Sequence, residues 1–119
     1  MADAVFGVGG PLEQVFVRDG DRCWIVRLPE IFLLESEGNY TRLHFRQETP
    51  LIRRSLNALE ERLDPDMFFR ANRGQILNLK WIDKSDMAPS GGLFVTLRGG
   101  TQVELSRRQS DRLRDILRL

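Results

Sequence analysis

The sequence predicts a mainly β domain with one or two helices. Three observations carry that expectation. Asp19-Gly20 and Arg98-Gly99-Gly100 each sit between two short β-branched or apolar runs, the pattern of a hairpin. Residues 40–45 alternate, with Tyr40, Arg42 and His44 on one face and Thr41, Leu43 and Phe45 on the other. Helical spacing appears in only two places, after Ser55 and after Ser106.

Taken in order, residues 1–12 carry Gly7, Gly9, Gly10 and Pro11 without a period, and are expected to be a flexible tail or the remnant of a linker. The domain is expected over residues 13–119. Residues 15–18 and 22–26 form the first hairpin, closed by Pro29. The unbroken apolar run Ile31-Phe32-Leu33-Leu34 predicts a strand buried on both faces. Ser36 to Asn39 make a polar turn into the alternating strand, and Leu51-Ile52 give one short strand more. A helix is predicted over 55–63: Ser55 is a good N-cap, and Leu56, Leu59 and Leu63 recur at helical spacing until Asp64-Pro65 stops it. Residues 93–97 and 101–105 form the second hairpin. Ser106 and Gln109 match a capping box, and Leu113, Ile116 and Leu117 predict an apolar stripe on a short terminal helix.

Composition bounds the function. A chain of 119 residues, 41% of them hydrophobic, suits one domain with a real core. No apolar run reaches membrane-spanning length, the N-terminus lacks the features of a signal peptide, and cytoplasm is the expected compartment. Cys23 is the only cysteine, so no internal disulfide or multi-cysteine zinc site is possible, and its place beside Trp24 predicts a buried thiol. His44 is the only histidine. No nucleophile–base pair, metal cluster or phosphate-cradling loop stands out, so neither catalysis nor a cofactor is expected.

Net charge is only +1, but residues 70–118 hold ten basic residues against five acids. Three basic or polar loops concentrate the signal: residues 39–42, residues 70–73, and Ser106-Arg107-Arg108. Arginine's planar fork suits phosphate and the guanine edge, and Asn72 either bonds an adenine edge or caps a turn. Gly74 permits an unusual backbone angle or a close approach. Arg107 and Arg108 begin a predicted helix, where cations oppose the macrodipole by ~0.3–1 kcal/mol each and an anionic partner offsets that cost. These loops suit nucleic acid; an acidic protein partner is the first rival reading, and RNA binding by a small β domain a third and weaker one.

The segments 33–41 (Leu33 to Thr41), 54–63, 68–78, 91–93 and 105–108 together resemble the LytTR family of DNA-binding domains, in family order and at family spacing. The most telling piece is Phe68-Phe69-Arg70-Ala71-Asn72-Arg73-Gly74. Gly74 departs from the family's usual serine. The resemblance implies an elongated array of short antiparallel β-sheets, with helix 55–63 packed alongside. It implies sequence-specific binding of double-stranded DNA by loops in the major groove, as the effector domain of a transcription regulator in a two-component system. Dimers on paired sites are expected. A receiver domain is common in the family, and none is present here, as for an excised effector domain or a short stand-alone member. By position, Arg73, Arg107 and Thr41 fall where the family places base contacts. Asn39, Tyr40, Arg42, Arg70, Asn72 and Arg108 flank them on the backbone. Five or six arginines on phosphate would make log K fall against log salt with a slope of roughly −5.

Overall fold

The computed structural model describes residues 2–6 and 14–118. Its strands are β1 (Asp3–Phe6), β2 (Gln14–Asp19), β3 (Arg22–Arg27), β4 (Ile31–Glu37), β5 (Tyr40–Phe45), β6 (Leu51–Ile52), β7 (Phe68–Asn72), β8 (Gln75–Asn78), β9 (Ile82–Met87), β10 (Leu93–Leu97) and β11 (Gln102–Glu104). Helix α1 spans Leu56–Glu60 and α2 spans Arg107–Ile116. Among the described residues every pairing between these strands is antiparallel, in three sheets ordered β1-β2-β3, β6-β5-β4-β8-β7 and β11-β10-β9. The molecule is elongated, 44 × 28 × 24 Å.

The five-stranded sheet is the middle layer, and β4 shows why. Ile31 and Leu34 join one core, with Val15, Val17 and Val26 of the first sheet and Leu56, Leu59 and Leu63. Leu33 joins a second core, with Leu93, Val95, Leu97, Val103 and Leu105 of the third sheet and Leu113 of α2. Phe68 and Phe69 part the same way on β7, and Ile76 and Leu77 on β8. A strand whose both faces meet a core has no polar face to keep, which is why these runs are continuously apolar. β5 lies one strand nearer the sheet edge. Its Thr41, Leu43 and Phe45 are buried while Arg42 and His44 are only partly so, as the alternation predicts.

Both expected caps form. Ser55 Oγ accepts from Ala58 N (3.1 Å) and Ser106 Oγ from Gln109 N (3.2 Å). α1 is shorter than the expected 55–63 because the chain tightens after Glu60, with Leu63 N donating to Glu60 O; Leu63 is still buried. Leu59 is wholly buried, so Leu59→Ala is expected to cost ~2–5 kcal/mol through the cavity it leaves. A chemical-denaturation midpoint equal to the parent's would show instead that the core collapses onto the gap.

Four expectations are corrected. Residues 3–6 are not a tail: β1 pairs with β2, and Ala2 and Ala4 are buried. The rest of that segment, residues 7–12 and Met1, lies outside the described residues, as do Glu13 and Leu119. Cys23 is exposed, because Trp24 turns inward onto Phe45 and strand parity turns its neighbour out. On α2 only Leu113 of the stripe reaches the core, and Ile116 and Leu117 remain 50% and 46% exposed. β9 was not foreseen; its residues Asp83 to Met87 are all exposed, and backbone pairing to β10 defines it. Gly92 earns its place by contact: a Cβ there would meet Leu105 O at 2.8 Å and Ser110 Oγ at 3.1 Å.

Candidate nucleic-acid interface

The turn between β7 and β8 is held on three sides. Its organiser is Arg70, whose Nε donates to Asn72 O (2.8 Å) and whose Nη1 donates to Asn57 Oδ1 (2.9 Å) and Glu60 Oε1 (3.1 Å). Nη2 donates to Arg73 O. Arg70 thus braces the turn against α1. Asn72 works from the other side: its Nδ2 donates to Gln75 Oε1 (2.9 Å) and Glu104 O (2.7 Å), and its Oδ1 accepts from Gly74 N (2.9 Å). From the third side Ser36 N donates to Gly74 O (2.8 Å), which ties in the end of β4.

The start of α2 is fastened to the same place. Ser106 N donates to Ala71 O (3.1 Å), and Gln109 Nε2 donates to Arg70 O. Gln109 therefore does not close the expected capping box onto Ser106 N; it reaches across to β7. Three loops come together as a result: the Gly38-Asn39 turn, the Arg73-Gly74 turn, and the entry to α2. A polar cleft lined by Ser36, Gly38, Asn39, Ser55, Asn57, Arg70 and Arg73 lies between the first two and the start of α1.

Four arginines crown this assembly. Arg53, Arg73, Arg107 and Arg108 are exposed, and their side chains carry no ion pair, hydrogen bond or ring contact among the described residues. Asn39 is exposed beside them and Tyr40 is 39% exposed. Arg53 was not among the expected contacts, although the pair Arg53-Arg54 directly before the Ser55 cap is a readable signal.

The remaining expected site residues are occupied inside the fold. Thr41 is fully buried, and its hydroxyl donates to Arg54 O (2.8 Å). It shapes the segment before α1, and in this structure it presents nothing to a base. Arg70 and Asn72 direct their donors onto the turn in this structure. Arg42 pairs with Glu37 through Nε and Nη2 (the latter 3.2 Å) and donates through Nη1 to Thr49 O (2.7 Å). The hydrogen bond from Arg42 holds the Glu37 carboxyl below its ordinary pKa, and the same bond raises that of Arg42. The pair is therefore intact at neutral pH and is lost only as pH falls through the lowered carboxyl value. Gly74 needs no glycine on local grounds, because a Cβ there would meet only Asn72 Oδ1, at an ordinary 3.8 Å.

No group of three or more His, Cys, Asp or Glu is placed to hold a metal ion among the described residues. No helix among them is long and apolar enough to cross a membrane.

Comparison with known proteins bears on the family and the fold. The sequence profile of the LytTr DNA-binding domain matches residues 21–118. The chain is 35% identical over 109 residues to the CO-responsive transcriptional regulator RcoM of Rhodospirillum rubrum, which covers 91% of this chain and 46% of that protein. It is 26% identical over 99 residues to the sensory transduction protein LytT of Enterococcus faecalis, covering 83% of this chain and 41% of the relative. The chain thus spans under half the length of these curated relatives. A solved LytTr DNA-binding domain from Bacillus cereus superposes with a TM-score of 0.79 at 21% identity, over 90% of this chain and 98% of the other. At that identity the likeness speaks for the fold.

Proposed function

This chain belongs to the LytTr DNA-binding domain family, and on that premise we propose that it reads specific sequences of double-stranded DNA through loops in the major groove, as part of a transcription regulator. The observation that carries the proposal is the set of four exposed arginines without partners among the described residues, mounted on loops that the fold braces against one another. Such a set is poorly satisfied in the free protein and well matched to phosphate and guanine edges. Arg107 and Arg108 occupy the first two positions of α2, where they oppose the helix dipole until an anion arrives.

In this reading Arg73 and Arg107 reach bases, while Arg108 and Arg53 hold phosphates. Asn39 and Tyr40 flank them. The function lies in binding, without catalysis, and in the cytoplasm. Two copies meet paired half-sites, and a receiver or other sensing domain in a longer parent protein would set how they meet. Single-stranded RNA fits less well. That mode needs free aromatic faces, and Trp81 is covered by the Arg98 guanidinium at 4.3 Å while its Nε1 donates to Pro29 O (2.7 Å).

Selection of bound fragments from a random duplex pool tests the proposal. Enrichment of a common sequence is expected. Retention without enrichment, matched by equal affinity for an acidic polypeptide, would turn the reading to a protein-interaction module.

The Arg42–Glu37 pair offers a second measurement. Glu37→Gln removes the charge that holds Arg42, so Arg42 becomes available to phosphate. Affinity for scrambled duplex is expected to rise and the salt slope to steepen by about one unit. An unchanged slope would show that Arg42 stays clear of DNA even when released.

A further inference from the structure

The Arg73 turn is anchored by a line of side chains that no DNA contact explains. His44 Nε2 donates to Glu35 Oε1 (2.6 Å). Glu35 Oε2 accepts from Gln75 Nε2 (2.9 Å), and Gln75 Oε1 accepts from Asn72 Nδ2 (2.9 Å). Asn72 Oδ1 then accepts from Gly74 N (2.9 Å). The line crosses three neighbouring strands, β5, β4 and β8, before it reaches the turn. Each member has its orientation set by the one before. A primary amide has a donor end and an acceptor end, so the Glu35 carboxylate dictates which way Gln75 points, and Gln75, together with the Glu104 carbonyl that takes a second bond from Asn72 Nδ2 (2.7 Å), sets which way Asn72 points.

We propose that Glu35 and Gln75 are positioning residues for sequence readout: through Asn72 they hold the backbone of the Arg73-Gly74 turn, and thereby aim the Arg73 side chain. This inference rests on the DNA-reading proposal above. The backbone at the turn is bonded at three points: Arg73 O accepts from Arg70, Gly74 N donates to Asn72 Oδ1, and Gly74 O accepts from Ser36 N. The Gly74 N–H anchor is the one that the line reaches, and the Asn72 amide that holds it is shared between Gln75 and the Glu104 carbonyl. A long flexible side chain discriminates between bases only if its root is fixed, whereas a phosphate contact tolerates a wandering root. Loosening the anchor therefore reduces preference and leaves grip.

The test uses three variants: Gln75→Leu, Gln75→Glu, and the exchange Glu35→Gln with Gln75→Glu. The single Glu variant sets two carboxylates against each other. The exchange rebuilds the line with the 35–75 bond reversed: Gln at position 35 donates to Glu at position 75, which still accepts from Asn72, so the bond that reaches the turn keeps its direction. Affinity for the selected duplex is expected to fall about tenfold in both single variants, the worth of one ordered hydrogen bond, with scrambled-duplex affinity kept. The Gly74 amide should exchange with solvent faster in both, and the double exchange should restore both readouts. Unchanged Gly74 exchange in Gln75→Leu would overturn the anchoring. Faster exchange with the parental preference would overturn its role in readout. Equal loss on both duplexes, unrescued by the exchange, would make the line mere scaffolding. A parent protein with no preference among duplexes would sink the DNA-reading proposal itself, while Gly74 exchange would still report on the anchor.

Discussion

Raising salt from about 50 mM to about 200 mM is expected to weaken binding to a scrambled duplex about two-hundredfold. Four arginines, Arg53, Arg73, Arg107 and Arg108, are exposed without partners among the described residues, and in the proposed reading all four would rest on phosphate on a scrambled duplex. Each neutralised phosphate contributes about −0.9 to the slope of log K against log salt, so the slope should lie near −4. Counting arginines in the loops of the sequence leads to a steeper value, near −5. The structure lowers it because Arg70 and Arg42 are spent inside the fold. Fluorescence anisotropy titrations at four or more salt concentrations measure the slope. A value near zero would remove the electrostatic basis of the proposal.

Replacing Arg73 or Arg107 by alanine is expected to cost ~1–3 kcal/mol on the selected duplex, roughly a five- to a hundred-and-fiftyfold loss, and far less on a scrambled one. A guanidinium that forks onto guanine O6 and N7 discriminates, and its loss takes the discrimination with it. Arg108→Ala should instead weaken every sequence alike and lower the salt slope by about one unit. Lysine at position 73 or 107 keeps the charge without the planar fork, so it should restore general affinity without the preference. All variants are to be titrated against both duplexes at matched salt. Should Arg73→Ala and Arg107→Ala reduce both affinities by the same factor, these loops grip the backbone and base readout lies elsewhere.

The structural side of the sequence reading succeeded where the physics is local. Hairpins at Asp19-Gly20 and Arg98 to Gly100 form because glycine supplies the positive φ their turns need, and Gly20, Gly99 and Gly100 adopt it. Ser55 and Ser106 cap their helices through bonds three residues long. The alternation at 40–45 survives into burial because strand geometry leaves side chains no other choice. β9 escaped because its exposed side chains carry no period, and a backbone ladder leaves no mark in the residue types.

Site roles divide along the same line. That the loops around Arg73 and Arg107 are basic, and that the segments carrying them follow LytTR order, is written in the chain. Which arginines remain available is not, since a guanidinium is free or spent according to the acceptors folding brings to it. Arg70 finds Asn57 and Glu60 on α1, well back along the sequence. Asn72 finds the carbonyl of Glu104 on a different sheet. Thr41 is small and polar, so from sequence it suits a surface loop, yet its strand parity buries it beneath Arg54. Composition and order determined the fold and the family of this protein; the long-range hydrogen bonds of the assembled sheets decided which of its basic side chains are engaged inside the fold.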